Sequence, residues 1–87
     1  MEELNVGDRF RTNISGYKNK WFTITDKITS KQEANRRHGG NFVDCDFYYE
    51  YISSKGKKKL WMGHGCLIQE AIIELVRNTI INNYAIY

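Results

Sequence analysis

The run NFVDCDFYYEYIS (41–53), followed by SKGKKK and then LWMGHG (60–65), constrains the fold more than any other part of the chain. Val43, Cys45, Phe47, Tyr49 and Tyr51 alternate with Asp44, Asp46, Tyr48 and Glu50, the period of a strand with one apolar face and one wet, acidic face. The lysine turn holds a glycine and is followed by a second apolar run, which predicts an antiparallel hairpin with a cationic tip. An isolated hairpin is marginal in water, so other strands must be built against it.

Two segments can supply them. In NVGDRFRT (5–12), Val6 and Phe10 are apolar, Gly7-Asp8 signals a turn or bulge, and Arg9 and Arg11 share the opposite face. After a turn in SGYKNK, WFTITDKIT (21–29) places Phe22, Ile24 and Ile28 at period two, with Trp21, Thr23 and Thr25 on the other side. Before the hairpin, Ser30 and Glu33 stand in capping-box spacing, Arg36, Arg37 and His38 follow, and Gly39-Gly40 ends the pattern. This predicts a short helix over 31–38. From Leu67 onward, Leu67, Ile68, Ala71, Ile72, Leu75, Val76 and Ile80 recur at helical spacing, predicting a C-terminal amphipathic helix over about 67–81 and a tail over 82–87.

At 87 residues there is room for one core only, so the chain is expected to be a single domain, 1–87, of α+β class with its sheet core over 4–66. The acidic N-terminus lacks the basic start and apolar stretch of a secretory signal, so a cytoplasmic location is expected. The two cysteines make no disulfide framework and are read as reduced thiols. The net charge of +3 falls short of a chromatin-like protein. Its distribution is more informative: ten of the thirteen Lys and Arg lie in 18–20, 27–37 and 55–59.

LWMGHGCLIQEAI (60–72) raises three chemical readings. As base and nucleophile, His64 and Cys66 would sit about 6.5 Å apart on a strand, and no cysteine-hydrolase signature surrounds them. As a zinc site, His38, Cys45, His64 and Cys66 have the right donors but no closely spaced pair to hold a half-site. The reading preferred is structural: Cys45 and Cys66 face the core, Gly63 and Gly65 serve a bulge or close approach, and no catalytic residue, metal or cofactor is assigned. Asp44, Asp46 and Glu50 are likewise read as a solvated strand face rather than a cation site.

The basic turns and aromatics carry the functional expectation. Arg36, Arg37, Lys57, Lys58, Trp21 and Trp61 are the residues expected to contact a partner protein, since Trp and Arg are the usual interface anchors. The alternative is nucleic-acid or nucleotide binding, with Lys18, Lys20, Lys55 and Lys59 on phosphates and Tyr17, Tyr48 or Trp61 as stacking surfaces.

A starting strand with VGDRF, a strand with WFTITDKIT, a basic excursion, a strand with FVDCDFYYEYI, a lysine hairpin and a glycine-rich LWMGHG resemble, over residues 4–76, the small Src-homology-3-like barrels of bacteriophage and mobile-element proteins. The resemblance implies a small antiparallel barrel or curled sheet and identifies no activity. In scale and plainness the chain is similar to phage inhibitors of host defence, including anti-CRISPR proteins. The expectation is therefore a non-enzymatic, phage-encoded protein that binds and blocks a host protein, such as a nucleic-acid-directed defence effector. Self-association through the C-terminal helix or tail is a further expectation, and no membrane partner is expected.

Overall fold

The computed structural model describes residues 3–40, 42–53 and 59–78. In chain order these form β1 (Arg9–Thr12), β2 (Phe22–Ile28), α1 (Lys31–His38), β3 (Tyr48–Ser53), β4 (Leu60–His64), α2 (Gly65–Ala71) and β5 (Ile72–Val76). The strands make one antiparallel sheet in the order β4-β3-β2-β1-β5. It is open, not closed into a barrel: β4 and β5 are its two edges.

The expected hairpin is β3 and β4, in register from Tyr48↔His64 to Ile52↔Leu60. The expected short helix is α1, with both of its ends where the local signals put them. Ser30 Oγ accepts from the Glu33 N–H at 3.3 Å, and Gly39 closes the helix at φ 69° while its N–H reaches the Asn35 carbonyl at 2.8 Å. Arg36, Arg37 and His38 in the last turn face the negative end of the helix dipole.

Three expectations are corrected. The first concerns β2, where Ile24 pairs with Tyr51 but Asp26 pairs with Glu50, leaving Thr25 as the extra residue of a bulge. Side-chain alternation is therefore reset, and Ile28 leaves the face of Phe22 and Ile24 for the opposite one. Two cores result. Leu4, Phe10, Phe22, Ile24, Tyr49 and Ile68 pack on one face, with Phe47, Tyr51, Trp61, Ile72 and Leu75 against them. Ile28, Ala34, Tyr48 and Met62 pack on the other under α1, with Phe42 and Cys45.

The second correction follows from the first. β3 begins at Tyr48, not at Val43, and its supposed wet face is covered: Tyr48 and Tyr49 are consecutive and both 0% exposed, one in each core. Asp44 and Asp46 precede the strand; Asp44 is exposed and pairs with Lys31 at 3.4 Å.

The third concerns the C-terminal helix. It starts earlier, at Gly65, and stops at Ala71, and the chain then extends as β5 against β1. Phe10 pairs with Leu75 and Arg11 with Glu74, but Thr12 pairs with Ile72, so Ile73 is the odd residue of a bulge and is 48% exposed. That bulge lets Ile72 and Leu75, three positions apart, both reach the core that Ile68 enters from α2. The 68, 72, 75 spacing that reads as one helix face is met by a helical turn plus a bulged strand. The remainder of the expected helix, from residue 79 to 81, and the 82–87 tail lie outside the described residues. Gly65 makes the strand-to-helix step possible, because a Cβ there would lie 1.9 Å from the Phe47 ring.

Candidate partner-binding groove

β4 is an edge strand, and the hydrogen bonds that bracket it determine which of its backbone groups are used. The Ser53 N–H reaches the Lys59 carbonyl at 3.2 Å and the Gly65 N–H reaches the Phe47 carbonyl at 2.9 Å. In an antiparallel pair such inward bonds fall on alternate residues, so Trp61 and Gly63 bond toward β3 while the N–H and C=O groups of Leu60, Met62 and His64 point away from it. No described strand lies on that side.

Beside this edge runs an open groove of about 400 Å³. Phe42 and Val43 line it from the α1–β3 connection, Leu67 and Ile68 from α2, Ile14 from the β1–β2 connection, and Tyr51, Gly63 and His64 from the hairpin. Its rim is apolar and wet at once: Ile14 is 47% exposed, Val43 64% and Leu67 59%. Large apolar side chains clustered at such exposure mark an interaction surface more often than isolated ones do. Burial pushes the Tyr51 hydroxyl up to about 12, with the Tyr17 hydroxyl adding to it, so this phenol stays neutral.

Trp61 stands opposite Tyr51 in the ladder and carries the same face onward. Tyr17 meets it edge-on at 5.3 Å, Lys59 Nζ lies 4.9 Å and Lys20 Nζ 5.7 Å from its ring centre, and Lys20 also covers Tyr17 at 5.5 Å. The Trp61 Nε1 hydrogen is buried and meets no acceptor among the described residues. Four of the residues expected from sequence, Tyr17, Lys20, Lys59 and Trp61, are thus brought together.

The others are not. Trp21 lies with Arg9 (5.5 Å) and Arg11 (5.9 Å), residues whose side chains lie on the opposite face from Phe10, and Arg11 is itself paired with Glu74 at 2.7 Å. Arg36 pairs with Glu33, and Arg37 joins Glu33 (2.7 Å), Asp26 (2.8 Å) and Glu50 (3.3 Å). Hydrogen bonds from Arg36 and then Arg37 hold the Glu33 carboxyl down at about 2. The positive charge of α1 is largely spent within the molecule, so these arginines are a poorer phosphate or partner contact than their sequence position implies. Tyr48 is closed to stacking by burial, and its hydroxyl donates to the Val43 carbonyl at 2.7 Å. Lys18 is exposed, and its carbonyl accepts from Arg11 at 2.6 Å. Lys55, Lys57 and Lys58 lie outside the described residues.

Of the Cys/His set only the two cysteines meet. His38 packs on Phe42 at 5.3 Å, while His64 packs between Phe42 (5.9 Å) and Tyr48 (5.7 Å). Among the described residues no three His, Cys, Asp or Glu side chains gather as a metal ion would need. Cys45, half-buried, packs against the core under α1 as expected, but Cys66 is exposed, contrary to expectation, and their sulfurs lie 3.9 Å apart. That contact, then burial, pushes the Cys66 thiol above its ordinary value, the opposite of an activated nucleophile. Of the exposed residues that line the groove, the sequence presents Val43 and Leu67 as core-facing positions of a strand and a helix and does not single out Ile14, so none of the three carries a signal for a binding surface.

Fold and site together define a small α+β protein with an open five-stranded antiparallel sheet and an apolar groove at one edge. No family model, curated protein or solved structure matches the chain. Among the described residues no helix is long and apolar enough to cross a membrane.

Proposed function

We propose that this is a small non-catalytic binding protein that takes an extended segment of another protein into the groove along β4. The observation that carries the reading is the coincidence of a strand edge with no neighbour among the described strands and a groove rimmed by exposed Ile14, Val43 and Leu67. A partner strand would hydrogen-bond to the outward groups of Leu60, Met62 and His64 and place alternate side chains in the groove. Lys20 and Lys59 at the Trp61 end favour a segment that is acidic as well as apolar.

The finer reading is a Src-homology-3-like fold of phage origin that blocks a host defence effector in the manner of anti-CRISPR proteins. The sequence resemblance supports it; the return of β5 to β1 and the helix between β4 and β5 are in keeping with its fold part alone.

The test is capture from bacterial lysate by the wild type and by Val43→Asp/Leu67→Asp, with and without nuclease, each at moderate salt. A stoichiometric protein that survives nuclease and is lost with the double variant supports the groove. Equal capture by both proteins refutes it.

A second reading, nucleic-acid or nucleotide binding, is favoured by the meeting of Tyr17, Lys20, Lys59 and Trp61. Single-stranded binding through these two lysines would lose about 1.4 from its log–log salt slope in Lys20→Ala/Lys59→Ala. An unchanged slope removes it.

A further inference from the structure

Two side chains of this fold have no part in the proposed binding, yet the fold brings them into contact. Cys45 belongs to the irregular segment that leads into β3, and Cys66 to the first turn of α2. They are 21 positions apart in sequence, and their sulfurs are 3.9 Å apart. A disulfide needs the sulfurs at about 2.05 Å. The remaining approach is short, and one partner sits in backbone that belongs to neither helix nor strand, where it can be absorbed. Cys66 is exposed to reagents and Cys45 half-buried behind it.

We propose that Cys45 and Cys66 form a thiol-modification site that a low-molecular-weight disulfide of the glutathione type converts to an intramolecular bridge. The Cys66 thiolate attacks one sulfur of the reagent and expels a thiolate, giving a mixed disulfide. The Cys45 thiolate then attacks Cys66 Sγ, forming the protein bridge and releasing the second small thiol. Two protein thiols are oxidised, one small disulfide is reduced to two thiols, and the two protons pass to the released groups. Cys66 is the entry point because it is the accessible partner, and Cys45 the resolving one.

The bridge ties the segment that carries Phe42 and Val43 to the helix that carries Leu67 and Ile68, both of which line the groove. Oxidation therefore fixes the spacing of those two elements. This consequence for binding rests on the proposed function; formation of the bond does not.

The test is equilibration of the purified protein with mixtures of oxidised and reduced glutathione at mildly alkaline pH, followed by maleimide trapping and intact mass under non-reducing conditions. The expected product is a monomer lighter by about 2 Da that takes up no maleimide. It reverts with dithiothreitol and has a Tm higher by roughly 10 °C. Cys45→Ser should stop at a stable glutathione adduct on Cys66, and Cys66→Ser should react more slowly. The bridge should form at least about tenfold more favourably in native buffer than in concentrated urea. Persistent alkylation of both thiols, double glutathione addition, dimers in place of the bridge, a lower Tm or an equal equilibrium in urea each overturns the proposal. None of these readouts involves a partner, so they stand or fall apart from the groove.

Discussion

Asp8 and Arg77, 69 positions apart in the chain, meet at 2.8 Å, and the carboxylate in that pair is only 2% exposed. The same carboxylate accepts from the N–H groups of Asn5 and Asn78, both at 2.8 Å. It thereby fastens the turn before β1 to the end of β5, the one strand pairing in the sheet that joins the two ends of the described chain. Glu3 adds to the clasp, its carbonyl accepting from Arg77 at 2.6 Å.

Asp8→Ala is expected to cost about 2–3 kcal/mol, because it removes the buried acceptor shared by two backbone N–H groups and the Arg77 guanidinium. Urea unfolding measures it. A loss near zero would mean that the clasp contributes nothing to the native state.

The same residue gives the fold an acid limit. Burial opposes ionisation of Asp8, but the bonds from Asn5, Asn78 and Arg77 outweigh it and its pKa lies below the ordinary value. Glu33 is lowered too, to about 2. A carboxyl whose folded pKa is depressed adds stability that is complete above the unfolded value of about 4 and is lost as pH falls through the folded one. Tm should therefore be flat with respect to these groups near neutrality and fall between about pH 4 and 2, with a shallower fall in Asp8→Asn.

Tyr48 and Tyr49 distinguish a sheet covered on both faces from one with a wet side. Tyr48→Ala should cost about 3–5 kcal/mol, and Tyr48→Phe about 1 kcal/mol through loss of the bond to the Val43 carbonyl. Tyr49→Phe should be comparable or worse, since its hydroxyl both accepts from the Leu4 N–H and donates to Gln69, each at 2.9 Å. A neutral Tyr48→Ala would return Tyr48 to solvent.

The bulge in β5 is tested by three neighbouring substitutions, and its pairing with β1, which a continued helix would lack, by hydrogen exchange. Ile72→Ala and Leu75→Ala should each cost about 2–3 kcal/mol, while Ile73→Thr, at the exposed bulge, should stay within about 0.5 kcal/mol. Hydrogen exchange should place protected amides of β5 with those of β1. Equal costs at all three sites would contradict the bulged strand.

Arg36→Ala/Arg37→Ala is expected to lower Tm slightly by releasing Asp26, Glu33 and Glu50, and to leave groove binding unchanged, since neither the arginines nor these carboxylates line the groove. Loss of partner capture at full stability would instead make α1 the contact surface.

The sequence by itself determined what neighbours in the chain can enforce. Ser30, Glu33 and Gly39 set both ends of α1 because a cap is made within four residues. Alternation and a glycine-lysine turn set the β3–β4 hairpin because its partners are close in sequence. Tyr17, Lys20, Lys59 and Trp61 were legible as residue types suited to binding, but their meeting was not. Only the tertiary structure decided where the alternation breaks. The bulges at Thr25 and Ile73 are imposed by partner strands, and each moves every later side chain to the other face, which is why Ile28 changed cores and a helix pattern became β5. A groove is likewise a property of no segment: Ile14 and Val43 lie in two separate connections and Leu67 in α2, and only the packing of α2 and the α1–β3 segment against the edge of β4 makes them one surface.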